Sequence, residues 1–139
     1  MTEQQLREKL RKISALFEGA TTDGERNAAA AAIQRIRQSL AATARVEPPP
    51  EVQFTLQDRW QRRLFTALCR RYGLEPFRYK RQRYTTVMLR VPRRFLAQVL
   101  WPEYLELKEA LDKYLNDATE RIIQEEVFGD DEEAGERAG

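Results

Sequence analysis

The sequence predicts an α+β protein: an N-terminal antiparallel helical hairpin, then an α-β-β-α domain with a two-stranded antiparallel hairpin and a long C-terminal helix. Three observations carry that expectation. Apolar residues recur at helical spacing over residues 3–18, 22–44 and 56–72, and again from Pro102 to about Val127. Between the last two of these, Thr85-Thr86-Val87-Met88-Leu89-Arg90-Val91 is rich in β-formers. Pro48-Pro49-Pro50, which lack N–H donors, separate the first two helices from the rest.

In the first helix Leu6, Leu10, Ile13 and Phe17 share a face, and Gly19 is placed to end it. Thr22-Asp23-Gly24-Glu25 has the form of a capping box that opens the second helix. Its inner stripe is Ala29, Ile33, Ile36 and Leu40, and the small side chains of Ala28 to Ala32 permit close approach of the first helix. The third helix turns Trp60, Leu64, Phe65, Leu68 and Tyr72 inward and Arg59, Arg63 and Arg70 outward. Phe77 and Tyr79, expected with Val87 and Leu89 on the face packed against helices, alternate with the outward Arg78 and Lys80, which predicts a strand that pairs with residues 85–91 around a mobile tip at Arg81-Gln82-Arg83. Val87, Leu89 and Val91 share one face of the second strand; Tyr84, Thr86, Met88 and Arg90 share the other. The last helix has Leu107, Leu111, Tyr114, Ala118 and Ile122 as its expected buried stripe. The expected divisions are a hairpin over 1–46, a Pro-rich linker over 47–55, the α-β-β-α domain over 56–128 and an acidic disordered tail over 129–139.

Composition excludes several kinds of chemistry. The 139 residues include no histidine and one cysteine, Cys69. A Ser-His-Asp triad, a Cys-His pair and a His-ligated zinc are therefore impossible, and an internal disulfide is too. Neither of the usual glycine-rich phosphate loops is present. No apolar run approaches the ~20 residues of a membrane span, and the polar first residues argue against a signal peptide. These features lead us to expect a cytoplasmic, non-catalytic protein with no cofactor and no metal.

The sequence speaks most distinctly through its charge. The net charge is +2, yet residues 59–94 hold 12 basic residues against the single acid Glu75, for a local net of +11. Residues 95–128 have a net charge of −5 and residues 129–139 of −4. Lys80 is the only lysine among those 12 cations. Arginine's planar fork suits bidentate contact with phosphate or carboxylate.

Two stretches resemble known sequences. Lys9, Lys12-Ile13, Leu16, Thr21 to Glu25, Ala28-Ala29 and Ala32 resemble the N-terminal helical hairpin of an uncharacterised family of bacteria and phages, a domain of unknown function. That family often has a histidine where this chain has Gly24. Tyr72 to Pro76, Arg81 to Met88 and Leu100 to Glu103 are similar to a segment of bacterial hypothetical proteins. The resemblance implies a bacterial cytosolic setting and a shared fold, and it brings no catalytic residues.

Arg78, Lys80, Arg81, Arg83, Arg90, Arg93 and Arg94 are the expected phosphate contacts, with Arg59, Arg63 and Arg70 behind them and Tyr84 placed to stack on a base. The expected partner is nucleic acid, DNA or RNA, gripped by a basic two-stranded ribbon. The alternative is a protein-interaction or scaffold module that docks an acidic protein partner or forms a homodimer through the Ala-rich hairpin. The same arginines have a structural alternative as well, pairing with Glu103, Glu106 and Glu109. Cys69 beside Arg70 and Arg71 reads as an activated thiol or, more simply, a small buried hydrophobe. The acidic tail could be an inert solubiliser or a phosphate mimic that competes for the arginines.

Overall fold

The computed structural model describes residues 1–139. Helix α1 (Glu3–Glu18) opens with a full capping box: Gln5 N–H donates to Thr2 Oγ1 at 3.2 Å and Thr2 N–H donates to Gln5 Oε1 at 2.9 Å. Helix α2 (Asp23–Val46) opens with half of one, since Thr22 Oγ1 accepts from Glu25 N–H while the Glu25 carboxylate accepts from Thr21 instead. Leu6, Leu10 and Ile13 of α1 pack against Ile33, Ile36 and Leu40 of α2, so the helical hairpin forms as expected.

The sheet has two antiparallel strands, but its first strand is not the expected one. β1 (Glu51–Thr55) pairs with β2 (Thr86–Arg90), from Glu51 opposite Arg90 to Thr55 opposite Thr86. β1 lies within the stretch expected to be a linker. The proline run does not prevent pairing, because Pro50 takes part only through its carbonyl, which accepts from Val91 N–H at 3.1 Å. The expected strand over 77–80 shrinks to one bridge, Phe77 with Met88. Beyond it Tyr79 N–H turns away to the Gln82 side chain at 2.8 Å. The order is therefore α-α-β-α-β-α-α, with helix α3 (Arg59–Arg71) between the strands. Met88, expected on the outer face, is buried together with Val87 and Leu89.

Asp58 caps α3 by accepting from Trp60 and Gln61 N–H groups. Phe65, Leu68 and Cys69 are buried. Trp60, expected inward, is 48% exposed. Phe65 anchors an aromatic cluster with Phe54 of β1 (4.7 Å between ring centres) and Tyr104 (5.2 Å), and Trp101 stacks on Phe54 at 5.7 Å. Gly73 ends α3 in the left-handed region, φ +76. A Cβ there would stand 2.4 Å from Leu10 Cδ2, so α1 is seated directly on this turn. Met1–Tyr104, the helical hairpin included, forms one compact unit.

Two short segments, helix α4 (Arg93–Phe95) and a π-helical turn (Leu96–Leu100), lead into helix α5 (Trp101–Ile122), which a second π-helical turn (Ile123–Val127) extends. Leu105–Gly139 forms a second unit. Within it the expected buried stripe is not buried: Leu107, Leu111 and Ala118 are half-buried, Tyr114 is 71% exposed and Ile122 is exposed. The unit contains one helix, and a single helix has no second element of its own on which to bury a face. Phe128, at φ 57, terminates it, and residues 129–139 are exposed without regular secondary structure.

Candidate nucleic-acid interface

The segment from Phe77 to Thr85 is a loop pinned at several points. Gln82 N–H donates to Tyr79 O at 3.2 Å, closing a turn over Lys80 and Arg81. Arg81 is at φ 74 and Lys80 is not in the positive region, which defines a type II turn with arginine where glycine is preferred. A non-glycine residue held there costs roughly 1–3 kcal/mol. The Gln82 amide reaches Met88 Sδ at 3.5 Å, and Thr86 N–H donates to Arg83 O at 3.0 Å. The tip is therefore a hydrogen-bonded turn, not the expected loose end of a hairpin. Four cations, Arg78, Lys80, Arg81 and Arg83, lie exposed on this one loop.

Tyr84 follows them and is 69% exposed. The Arg62 guanidinium lies over its ring, 5.1 Å from the centre, and Arg62 Nη1 also donates to Leu56 O and Gln57 O at 2.8 and 2.7 Å. Arg62 thereby fixes the loop's exit to the start of α3. Tyr79, expected on the packed face, is exposed; its edge meets Phe77 and its hydroxyl donates to Glu51.

The remaining expected contacts divide by their partners. Arg90 is bound to Glu51 at 3.2 Å and covers the Phe77 ring at 5.4 Å. The hydrogen bond from Tyr79, with that from Arg90, lowers the pKa of the Glu51 carboxyl, and Glu51 raises that of Arg90. Arg70 is paired with Glu75 at 3.1 Å, and Arg71 with Glu18 at 3.5 Å. Arg63 lies over Trp60, 5.4 Å from its ring centre, and Arg94 Nε contacts Gln98 at 3.4 Å. Arg59, Arg63, Arg78, Lys80, Arg81, Arg83, Arg93 and Arg94 are all exposed, and none has a carboxylate within 4.0 Å.

The structural alternative for these arginines fails at Glu103. That carboxylate is taken by Arg11, whose Nε donates at 2.8 Å, and by the Tyr72 hydroxyl. Sequence reasoning missed Arg62, Glu51 and Gln82, which position this loop. The period-two pattern of Val52 and Phe54 was the available signal for Glu51, because it marks a strand.

The Cys69 alternatives resolve plainly. Cys69 is buried, and burial pushes its thiol up to about 12, so it is no activated nucleophile. No group of three or more Cys, Asp or Glu stands together as a cation cage. No helix is long and apolar enough to cross a membrane. Comparison with protein-family models, curated proteins and solved structures finds no match to this chain.

Proposed function

We propose that the chain is a small non-catalytic nucleic-acid-binding protein of a reducing, cytoplasmic setting. The observation that supports it is the loop bearing Arg78, Lys80, Arg81 and Arg83, which is exposed and free of carboxylate partners. A cation cluster with no carboxylate partner in its own unit contributes little to folding and attracts a polyanion. Tyr84 beside it offers a ring face for an unpaired base. The loop replaces the ribbon expected from sequence, so the reading rests on phosphate contact and stacking and no longer on a strand pair lying in a groove. Arg59, Arg63, Arg93 and Arg94 add exposed charge; Arg70 and Arg90 already have partners and rank behind them.

The test is fluorescence anisotropy with labelled duplex DNA, single-stranded DNA and single-stranded RNA at low salt. Saturable binding to at least one, weakened by Arg78→Gln with Arg83→Gln, supports the reading. Absence of binding to all three removes it.

A second reading, an interaction module, is favoured by exposed apolar residues. Leu105, Tyr114 and Ile122 are exposed in the second unit, and Leu16 beside Ala28, Ala29 and Ala32 borders an apolar cleft at the turn end of the helical hairpin. Sedimentation velocity discriminates: a dimer abolished by Leu16→Glu favours a homodimer through the hairpin.

A further inference from the structure

We infer that a cleft walled by Arg7, Arg37 and Arg70 is a binding site for a phosphomonoester. The cleft encloses about 400 Å³, within the range of small-ligand sites. Three cations and one acid, Glu75, line it. Arg7 is 5% exposed, the only buried charged residue in the chain. Its guanidinium is fixed by Glu3, through Nε at 3.1 Å and Nη2 at 2.9 Å, and by Tyr72 O, through Nη1 at 2.9 Å. Each of its two terminal nitrogens has a second N–H beyond those bonds. Arg37 has no hydrogen-bond or ion-pair partner. Arg70 reaches Glu75 through Nε alone, leaving its terminal nitrogens available.

The arrangement selects the ligand's chemistry. Three guanidinium groups stand against two carboxylates, Glu75 on the cleft wall and Glu3 on Arg7, and the remaining positive charge attracts an anion. Planar guanidinium forks on three residues bordering one cleft suit the several oxygens of a phosphate. Leu40, Ala41 and Leu74 supply an apolar wall for a compact body attached to that phosphate. The space is too small for a duplex. Two sources present this chemistry: a free small phosphomonoester, or the phosphorylated end of a nucleic-acid strand. The site is separate from the loop at Arg78 to Arg83 and shares only Arg70 with the wider set of expected contacts.

The probe is phenyl phosphate, titrated calorimetrically into the full chain at near-physiological salt. We expect one saturable site, tighter than for inorganic phosphate, with no heat from phenol. Arg37→Gln lies on an exposed helix face and should weaken binding about tenfold. Glu75→Gln releases Arg70 and should tighten it up to about fivefold. The opposite signs separate the proposal from general loss of folding. Oligonucleotides with a 5′-phosphate or a 5′-hydroxyl then identify the source. A preference for the phosphorylated end that Arg37→Gln abolishes assigns a strand terminus; equal binding of both assigns a free small molecule. No saturable site for phenyl phosphate, or identical affinity in the Arg37 variant, overturns the inference. Nucleic-acid binding through the loop would be untouched by that result, so the two ideas fail separately.

Discussion

The Arg62 guanidinium covers the Tyr84 ring at 5.1 Å and ties a strongly basic loop to the first turn of α3. One face of the ring is thus occupied by a cation. The side chain nevertheless remains 69% exposed, so its other face is open to a base. Tyr84→Ala should weaken single-stranded binding by about 1–3 kcal/mol and duplex binding much less. Tyr84→Phe should bind as the parent does. Competitive anisotropy measures both; equal losses on single-stranded and duplex ligands would exclude stacking.

Arg81 is held at φ 74, where glycine is at ease. Arg81→Gly removes a charge and relieves the backbone together. Stability should stay level or rise by up to about 1 kcal/mol. Binding should weaken, and its salt slope should become shallower by about 0.9 if one phosphate contact is lost. Urea melts beside salt titrations separate the two effects. A clear loss of stability would show that the Arg81 side chain supports the fold.

Gly73 and Gly24 make a matched pair for testing the core. A methyl on Gly73 meets Leu10 Cδ2 at 2.4 Å and imposes a side chain at φ +76. Gly73→Ala should cost roughly 2–4 kcal/mol, combining overpacking with backbone strain. Gly24, in the first turn of α2, has nothing within 4 Å of such a methyl. Gly24→Ala should therefore stabilise, by up to about 1 kcal/mol. Chemical denaturation of both variants checks the contrast, and an unaffected Gly73 variant would mean that α1 is not seated on the turn after α3.

Tyr72 carries a pH dependence of definite sign. Burial first, then its bond to the Glu103 carboxylate, raises the phenol pKa above the ordinary value near 10. The folded state therefore holds this proton more tightly than the unfolded chain. Its contribution is whole below the unfolded tyrosine pKa near ~10 and is lost as pH climbs through the higher folded value. Stability should fall in strongly alkaline solution. Tyr72→Phe has no proton to lose, so its stability should fall less steeply there, although it starts lower for want of the Glu103 bond. Parallel slopes for the two proteins above pH ~10 would refute this.

The helices were legible from sequence because periodicity and caps act locally: Thr22 and Gly73 sit at the ends they mark. The sheet was only half legible. Three prolines ahead of Glu51 look like a spacer, and nothing local announces that Pro50 O will accept from Val91 41 residues later. Aromatics misled in one direction. Trp60, Tyr79 and Tyr114 were placed inside by spacing, yet each is exposed, consistent with side chains whose polar tips tolerate water. The site's charge was visible, its pairing was not. Glu51 and Glu18 come from distant segments to neutralise Arg90 and Arg71, and only the fold brings them there. All four cations of the loop are among those left without a carboxylate.

The salt dependence of nucleic-acid binding tests that point most directly. Anisotropy titrations on duplex DNA across a series from about 25 to 200 mM salt should give log K against log salt with a slope near −4.5, as expected if about five phosphates are neutralised. Replacing Arg78, Lys80, Arg81 and Arg83 by glutamine should flatten that slope to near −1 if four of those contacts belong to the loop (~0.9 each). An unchanged slope in that variant, or no binding by the parent at the lowest salt, would contradict the assignment of this loop as the nucleic-acid contact.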